Sequence, residues 1–334
     1  MANSCFQKLK ILYILDMLLK LSDEDHPIDT DEIILHLKNQ GIEAERKSIY
    51  ADIGILKEFG YEIMRTRSLK SGYFIADRDF QIAEVRLLSD AVQAANFISG
   101  KKTKELLKKI YALVSKYQAD KLLNQVYVDN RPKCKNEEIY YTIDKLDNAI
   151  QLARQVEFIY QKRIISDENK IEYDEKVFIV NPYSLIWSSD HYYLVCNKIN
   201  YDNLMVVRID RIKKVKILEN KKSRHFSQVS QYQTSFDAAD YANKHFNMFS
   251  GEPKPVELAF QNSLIDDVLD RFGENVKIKR FGDSKFLLEA NLAISPGLVS
   301  WVMQYGGDIE VKKPNELKQM VLKKVDEIRS VYTI

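Results

Sequence analysis

Two arginines three residues apart, Arg208 and Arg211, close a stretch that begins His191-Tyr192-Tyr193-Leu194-Val195-Cys196 and ends in the lysines of Lys213-Lys214-Val215-Lys216. Guanidinium forks match phosphate oxygens with paired N–H donors, and aromatic rings give bases a face to stack on. The chemistry to expect is capture of a phosphate-bearing ligand. Arg208 and Arg211 would hold the charge, Tyr160, Tyr192 or Tyr193 would stack on the base, and His191 would donate to a phosphate. Beyond them Lys213, Lys214, Lys216, Lys221, Lys222 and Arg224 form a basic margin able to follow a nucleic-acid backbone. The plainer reading is a two-faced strand whose arginines are solvated or paired with Asp210, a surface histidine, and a solvated run of lysines.

The elements that must position these groups follow from side-chain type. Tyr192–Cys196 and Leu204–Ile209 are rich in aromatic and β-branched residues, and Asn200-Tyr201-Asp202-Asn203 between them supplies turn formers, so an antiparallel hairpin is expected. Strand side chains alternate, which puts Val206, Arg208 and Asp210 on one face and Met205, Val207 and Ile209 on the other, with Arg211 where the strand ends. Adjacent Tyr192 and Tyr193 must face opposite sides. Tyr192 shares parity with Leu194 and Cys196, a core-like set, so Tyr193 is the expected ligand-facing ring.

Composition narrows the classes. The 334 residues suffice for two or three domains, and 45% hydrophobic content suffices for their cores. A net charge of +2 neither announces nor excludes nucleic acid, so any basic site is local. Cys5, Cys134 and Cys196 are far apart, without CxxC spacing, which argues against a disulfide frame or structural zinc and for a reducing, cytoplasmic setting. No run approaches the ~20 apolar residues of a bilayer span. The chain has no GxxxxGK[ST] loop, no GxGxxG after a strand, no HExxH and no GxSxG elbow, so no enzyme, metal or cofactor is expected. Gly306-Gly307-Asp308 reads as a turn.

Along the chain, Ile11, Leu12, Ile14, Leu15, Leu18 and Leu19 repeat at helical period, with Lys8, Lys10 and Lys20 at the margin. A second helix is expected from Asp31 to Gln40 and a third between Glu45 and Phe59, where Ile49, Ile53 and Leu56 share a face and Gly60 stops the helix. Two short strand-like runs, 61–65 and 72–75, make a wing. Residues 1–79 thus predict a winged helix-turn-helix, in which Arg46, Lys47, Ser48 and Tyr50 face bases or phosphates and Arg65, Arg67 and Lys70 face phosphates. The same residues hold 11 Lys/Arg against 14 Asp/Glu, so attraction to DNA has to come from these clusters. Residues 80–139 predict two antiparallel linker helices, 80–98 and 101–117, that pair across a homodimer or pack on their own head. A helix at 140–154 leads into a mostly antiparallel sheet, with strands at 156–160 and through 177–187 before the hairpin.

These pieces carry a resemblance. Asn181-Pro182-Tyr183-Ser184-Leu185, then His191-Tyr192-Tyr193-Leu194-Val195, then Arg208-Ile209-Asp210-Arg211-Ile212 resemble the WYL domain, with Tyr192 in the tryptophan's place. Arg46-Lys47-Ser48-Ile49-Tyr50-Ala51-Asp52-Ile53 is similar to the third-helix motif of winged-helix WYL regulators, departing at Ala51, where an arginine is usual. Residues 256–332 read β-α-β-α, and Val299-Ser300-Trp301-Val302-Met303-Gln304-Tyr305-Gly306 looks like the C-terminal WCX extension. The resemblance implies an α+β multidomain chain: a winged helix-turn-helix (1–79), a helical linker (80–139), an Sm- or SH3-like β-barrel (140–225), and an extension (226–334) with an α/β core from about 254. It also implies a cytoplasmic transcriptional regulator that binds a double-stranded DNA operator as a homodimer and senses a nucleotide or oligonucleotide effector. The competing expectation is an accessory protein of nucleic-acid metabolism or defence that grips single strands.

Overall fold

Apolar residues at helical spacing need a partner surface, and the first of them find one another. In the computed structural model, which describes residues 2–66, 71–125, 133–134 and 136–332, Ile14 and Leu18 of α1 (Ala2–Leu21) pack with Ile33 and Leu37 of α2 (Thr30–Asn39) and with Ile49, Ile53 and Leu56 of α3 (Arg46–Phe59). Asp29 starts α2 with a capping box. Its carboxylate accepts from the Asp31 and Glu32 amides, while the Glu32 carboxylate accepts from the Asp29 amide. Gly60, at φ 123°, ends α3 in a conformation that suits glycine. The antiparallel pair β1 (Ile63–Thr66) and β2 (Gly72–Ile75) follows. Tyr73 in β2 also exchanges both backbone hydrogen bonds with Ile28, so close that a Cβ on Gly72 would meet the Ile28 backbone at 2.7 Å.

Two expectations change here. Lys10 is not at the margin of α1 but buried, 8% exposed, because Asp52 of α3 holds its ammonium at 2.8 Å and it also donates to the Ser48 hydroxyl. The two linker helices are three: α4 (Ile82–Ala94), α5 (Gly100–Tyr111) and α6 (Lys116–Gln125). The break before α6 is made by Ser115, whose hydroxyl accepts from the Gln118 amide while the Gln118 side chain accepts from the Ser115 amide. Ser115-Lys-Tyr-Gln118 is a capping-box pattern, a signal present in the sequence. These helices pack on their own head: Ser115 donates to Asp23, Lys121 pairs with Asp25 at 3.0 Å, and Tyr117 stacks on His26 at 3.7 Å.

The chain divides into two compact units, Met1–Glu137 and Glu138–Ile334. The second opens with α7 (Ile139–Gln151), which lies across a five-stranded antiparallel sheet of β3 (Arg154–Ile165), β4 (Ile171–Ser188), β5 (His191–Lys198), β6 (Met205–Arg208) and β7 (Ile212–Lys222) in the order β6-β5-β4-β3-β7. The edge strands β6 and β7 are joined by only the one-turn helix Ile209–Arg211. Laid flat, strands ~4.8 Å apart would separate those edges by about 19 Å, further than the ~14 Å that the intervening residues span, so the sheet must curl. No pairing joins β6 to β7 among the described residues. The expected barrel is therefore an open, curled sheet.

A buried amide chain fixes the β5–β6 hairpin. Gln155 donates to Asn181 (3.1 Å), Asn181 donates to Asn197 (2.9 Å), and Asn197 donates to the carbonyls of Tyr201 (2.6 Å) and Asn203 (2.9 Å) in the turn. A connector carrying α8 (Ala238–Lys244) then leads to a second sheet, ordered β11-β8-β10-β9. Its elements are β8 (Glu252–Gln261), α9 (Ile265–Phe272), β9 (Lys277–Phe281), β10 (Lys285–Ile294), α10 (Pro296–Gln304), β11 (Ile309–Lys313) and α11 (Asn315–Tyr332). Leu258, Phe260, Leu288 and Leu298 form its core, the β-α-β-α pattern expected from the sequence.

Candidate functional site

The hairpin places Tyr193 opposite Arg208, and the one-turn helix after β6 swings Asp210 back onto the arginine. Arg208 Nε donates to Asp210 Oδ1 at 3.0 Å and Nη2 donates to Oδ2 at 2.8 Å, a bidentate pair in a half-buried setting. Burial would raise the Asp210 carboxyl, but the Arg208 hydrogen bond and charge, aided by His191 and Arg211, hold it below the usual carboxylate range. Arg208 is pushed up, its burial outweighed by Asp210. The plain pairing that the sequence offered as an alternative thus exists in this state. The other residues expected there lie around this pair. His191 lies 6.2 Å from the Tyr193 ring, and Tyr160 of β3, paired across the ladder with Ile212, shares the electrostatic surroundings of Tyr193 and Arg208. Arg211 is exposed at the corner, with no ion-pair partner among the described residues. His191 Nδ1 is buried without a hydrogen-bond partner, and burial, reinforced by the Arg208 charge, lowers its pKa.

The burial of the two tyrosines is the reverse of the expected one. Tyr193 is only 9% exposed and packs with Ile186, Val195, Tyr241 and Met248, which closes its face to a stacked base and raises its pKa. Tyr192 is half-buried, 6.2 Å from the exposed Trp187, and borders a cleft with Tyr140, Asp144 and Tyr183. Parity separates the two faces correctly; it cannot tell that α8, some fifty residues later, covers one of them. Tyr160 remains half-buried beside the arginines, stacked on Phe178 at 5.7 Å. Along the edge strand β7, Lys214, Lys216, Lys221 and Lys222 are exposed. Arg224 departs from this margin: its amide donates to Asn181 and its guanidinium binds Asp202 at 2.7 Å.

In the first unit, α3 presents Lys47 and Tyr50 outward. Arg46 is exposed but paired with Asp31, which raises its pKa. Ser48 accepts from Lys10 and so faces α1 rather than open solvent. Arg65 is exposed, its guanidinium 5.5 Å from the Tyr73 ring. Arg67 and Lys70 lie outside the described residues. Asp52, the acidic member of the α3 motif, holds Lys10.

Residues 141–217, from α7 through the arginine corner into β7, match the family model of the WYL domain. The chain carries a WYL domain. Residues 252–329, from the start of β8 into α11, match the WCX domain. The chain is similar to a solved structure of proteasome accessory factor B/C (PafBC) of Arthrobacter aurescens, with 16% identity, a TM-score of 0.28, and coverage of 96% of this chain and 46% of that one. It thus spans just under half the length of that protein. No curated protein matches. No helix among the described residues is long and apolar enough to cross a membrane, and no cluster of three or more metal-ligating side chains occurs among them.

Proposed function

We propose that this chain is a cytoplasmic DNA-binding transcriptional regulator. Its first unit is a winged helix-turn-helix head that reads a duplex operator as a homodimer, and its WYL domain senses a nucleotide or oligonucleotide whose binding alters operator affinity. The observation that carries this reading is the convergence of Tyr160, His191, Arg208 and Arg211 on one corner of the WYL domain, in a chain whose head presents Arg46, Lys47, Tyr50 and Arg65 on α3 and β1. The exposed lysines of β7 favour a second reading, an accessory protein that grips single strands.

The test is a gel shift of the full chain on the DNA upstream of its own gene, with and without short oligonucleotides. Arg208→Ala is expected to leave basal binding unchanged and abolish the oligonucleotide response. Arg46→Ala is expected to weaken basal binding and lower its salt dependence by about one unit of slope. No shift of duplex, with tight single-strand binding or magnesium-dependent cleavage, would establish the second reading instead.

A further inference from the structure

Lys198, the last residue of β5, ends in an ammonium that no carboxylate answers. Its Nζ lies 4.8 Å from the centre of the Phe178 ring and 5.4 Å from that of Tyr201, and among the described residues it makes neither a hydrogen bond nor an ion pair. The side chain is half-buried, so the ammonium has given up part of its hydration without gaining an acceptor. It borders a cavity of about 290 Å³ lined also by Phe178, Tyr201, Asn203 and Met205, with no carboxylate among the lining residues. Asp202, in the same turn, is held by Arg224 at 2.7 Å. The buried Asn197 fixes that turn by donating to the carbonyls of Tyr201 and Asn203, so the Tyr201 ring, 54% exposed, is in place before any ligand arrives. Phe178 in turn stacks on Tyr160, with ring centroids 5.7 Å apart and planes 12° from parallel. Tyr160 belongs to the arginine corner, where it shares the electrostatic surroundings of Arg208. A strip of rings and cations thus leads from that corner to the β5–β6 turn.

We infer that this strip is a second nucleotide subsite, in which Lys198 takes the phosphate and Tyr201 the base of the nucleotide next to the one at the arginine corner. The inference rests on the reading of that corner as a nucleotide site. Sites that track a single strand combine cations for the phosphates with aromatic rings for successive bases. Here Arg208 and Lys198 flank the stacked rings of Tyr160 and Phe178, and Tyr201 follows, so charge and ring alternate along the protein as phosphate and base alternate along a strand. A lysine suits the outer position, because its ammonium is a compact point charge with three donors that needs no fixed fork geometry. The effector selected by such a strip is an oligonucleotide of two or more residues rather than a mononucleotide.

Calorimetric titration of the full chain with thymidine monophosphate and with tetrathymidylate lacking a terminal phosphate tests this. Lys198→Met keeps an apolar stem over the rings and removes the charge. It is expected to weaken tetrathymidylate about fivefold or more, to lower the salt slope of that binding by about 0.7, and to leave monophosphate affinity within about twofold. Lys198→Arg is expected to restore tetrathymidylate binding. Tyr201→Leu is expected to weaken tetrathymidylate about fivefold with the salt slope unchanged. Arg208→Ala is expected to weaken both ligands. Tetrathymidylate binding that Lys198→Met leaves unchanged while Arg208→Ala removes it would overturn the second subsite and leave the corner standing. An equal loss of both ligands in Lys198→Met would also overturn it, because the lysine would then serve the corner itself. Failure of the unaltered chain to bind either ligand at millimolar concentration would overturn the reading of the corner and the subsite with it.

Discussion

Arg208 is occupied before any ligand arrives. Its bidentate partner Asp210 presents the same two-oxygen geometry as a phosphate, so an anionic ligand has to displace the carboxylate or share the guanidinium with it. Asp210→Asn removes the competing charge. It is expected to tighten binding of an oligothymidylate about three- to tenfold, roughly 1 kcal/mol, read by fluorescence anisotropy. Weaker binding would show that Asp210 serves to hold Arg208 in place. His191 supplies a pH dependence whose sign follows from its surroundings. Burial and the Arg208 charge keep its free pKa below the ordinary 6.5. A phosphodiester beside it favours the imidazolium, so binding raises that pKa and takes up a proton. Affinity is therefore expected to rise as pH falls through the window between the raised bound value and the depressed free one, and to lose this slope in His191→Gln. An oligothymidylate without a terminal phosphate is the right ligand, since its diesters do not titrate in that range.

The seating of α3 depends on an ion pair that periodicity alone hides. Ile49, Ile53 and Leu56 announce which face of the helix is buried, and they are buried. That Lys10 of α1 crosses the same interface to Asp52 is a pairing of residues 42 positions apart, which no local pattern contains. Asp52→Ala leaves the Lys10 ammonium buried and unpaired, and is expected to cost about 3 kcal/mol in the opening free energy of α3 amides, measured by hydrogen exchange. Lys10→Met combined with Asp52→Leu should recover most of that loss. An unchanged opening energy in Asp52→Ala would mean that Ser48 alone satisfies Lys10. The curled sheet teaches the same lesson. Strands β3 to β6 each contain a stretch legible by residue type, whereas β7 reads in the sequence only as a basic margin, and the closeness of the two edges appears only when the three-residue link between β6 and β7 is set beside the strand order.

The division at residues 137 and 138 separates the two proposed tasks. The arginine corner and its supporting amide chain both lie within 138–334. A fragment of those residues is expected to fold, by circular dichroism, and to bind the oligothymidylate within twofold of the full chain. The complementary fragment 1–137 should retain weak duplex binding that no longer responds to the oligonucleotide. Ligand binding lost from the 138–334 fragment would require a contribution from the head. With 11 Lys/Arg against 14 Asp/Glu in residues 1–79, the head binds DNA, on the proposed reading, through the placement of a few cations rather than through bulk charge.

The sequence by itself determined the three helices and two short strands of residues 1–79, the hairpin with its arginines, and the kinship of residues 181–212 and 299–306 with the WYL and WCX domains. These are local matters of side-chain alternation, capping and turn chemistry. Only the tertiary structure decided that Tyr193 is walled in by α8 while Tyr192 borders a cleft, that Asp210 already fills the Arg208 fork, and that Lys10 is buried. Each of these depends on which distant segment covers a given face, and burial, unlike periodicity, is a property of the partner surface.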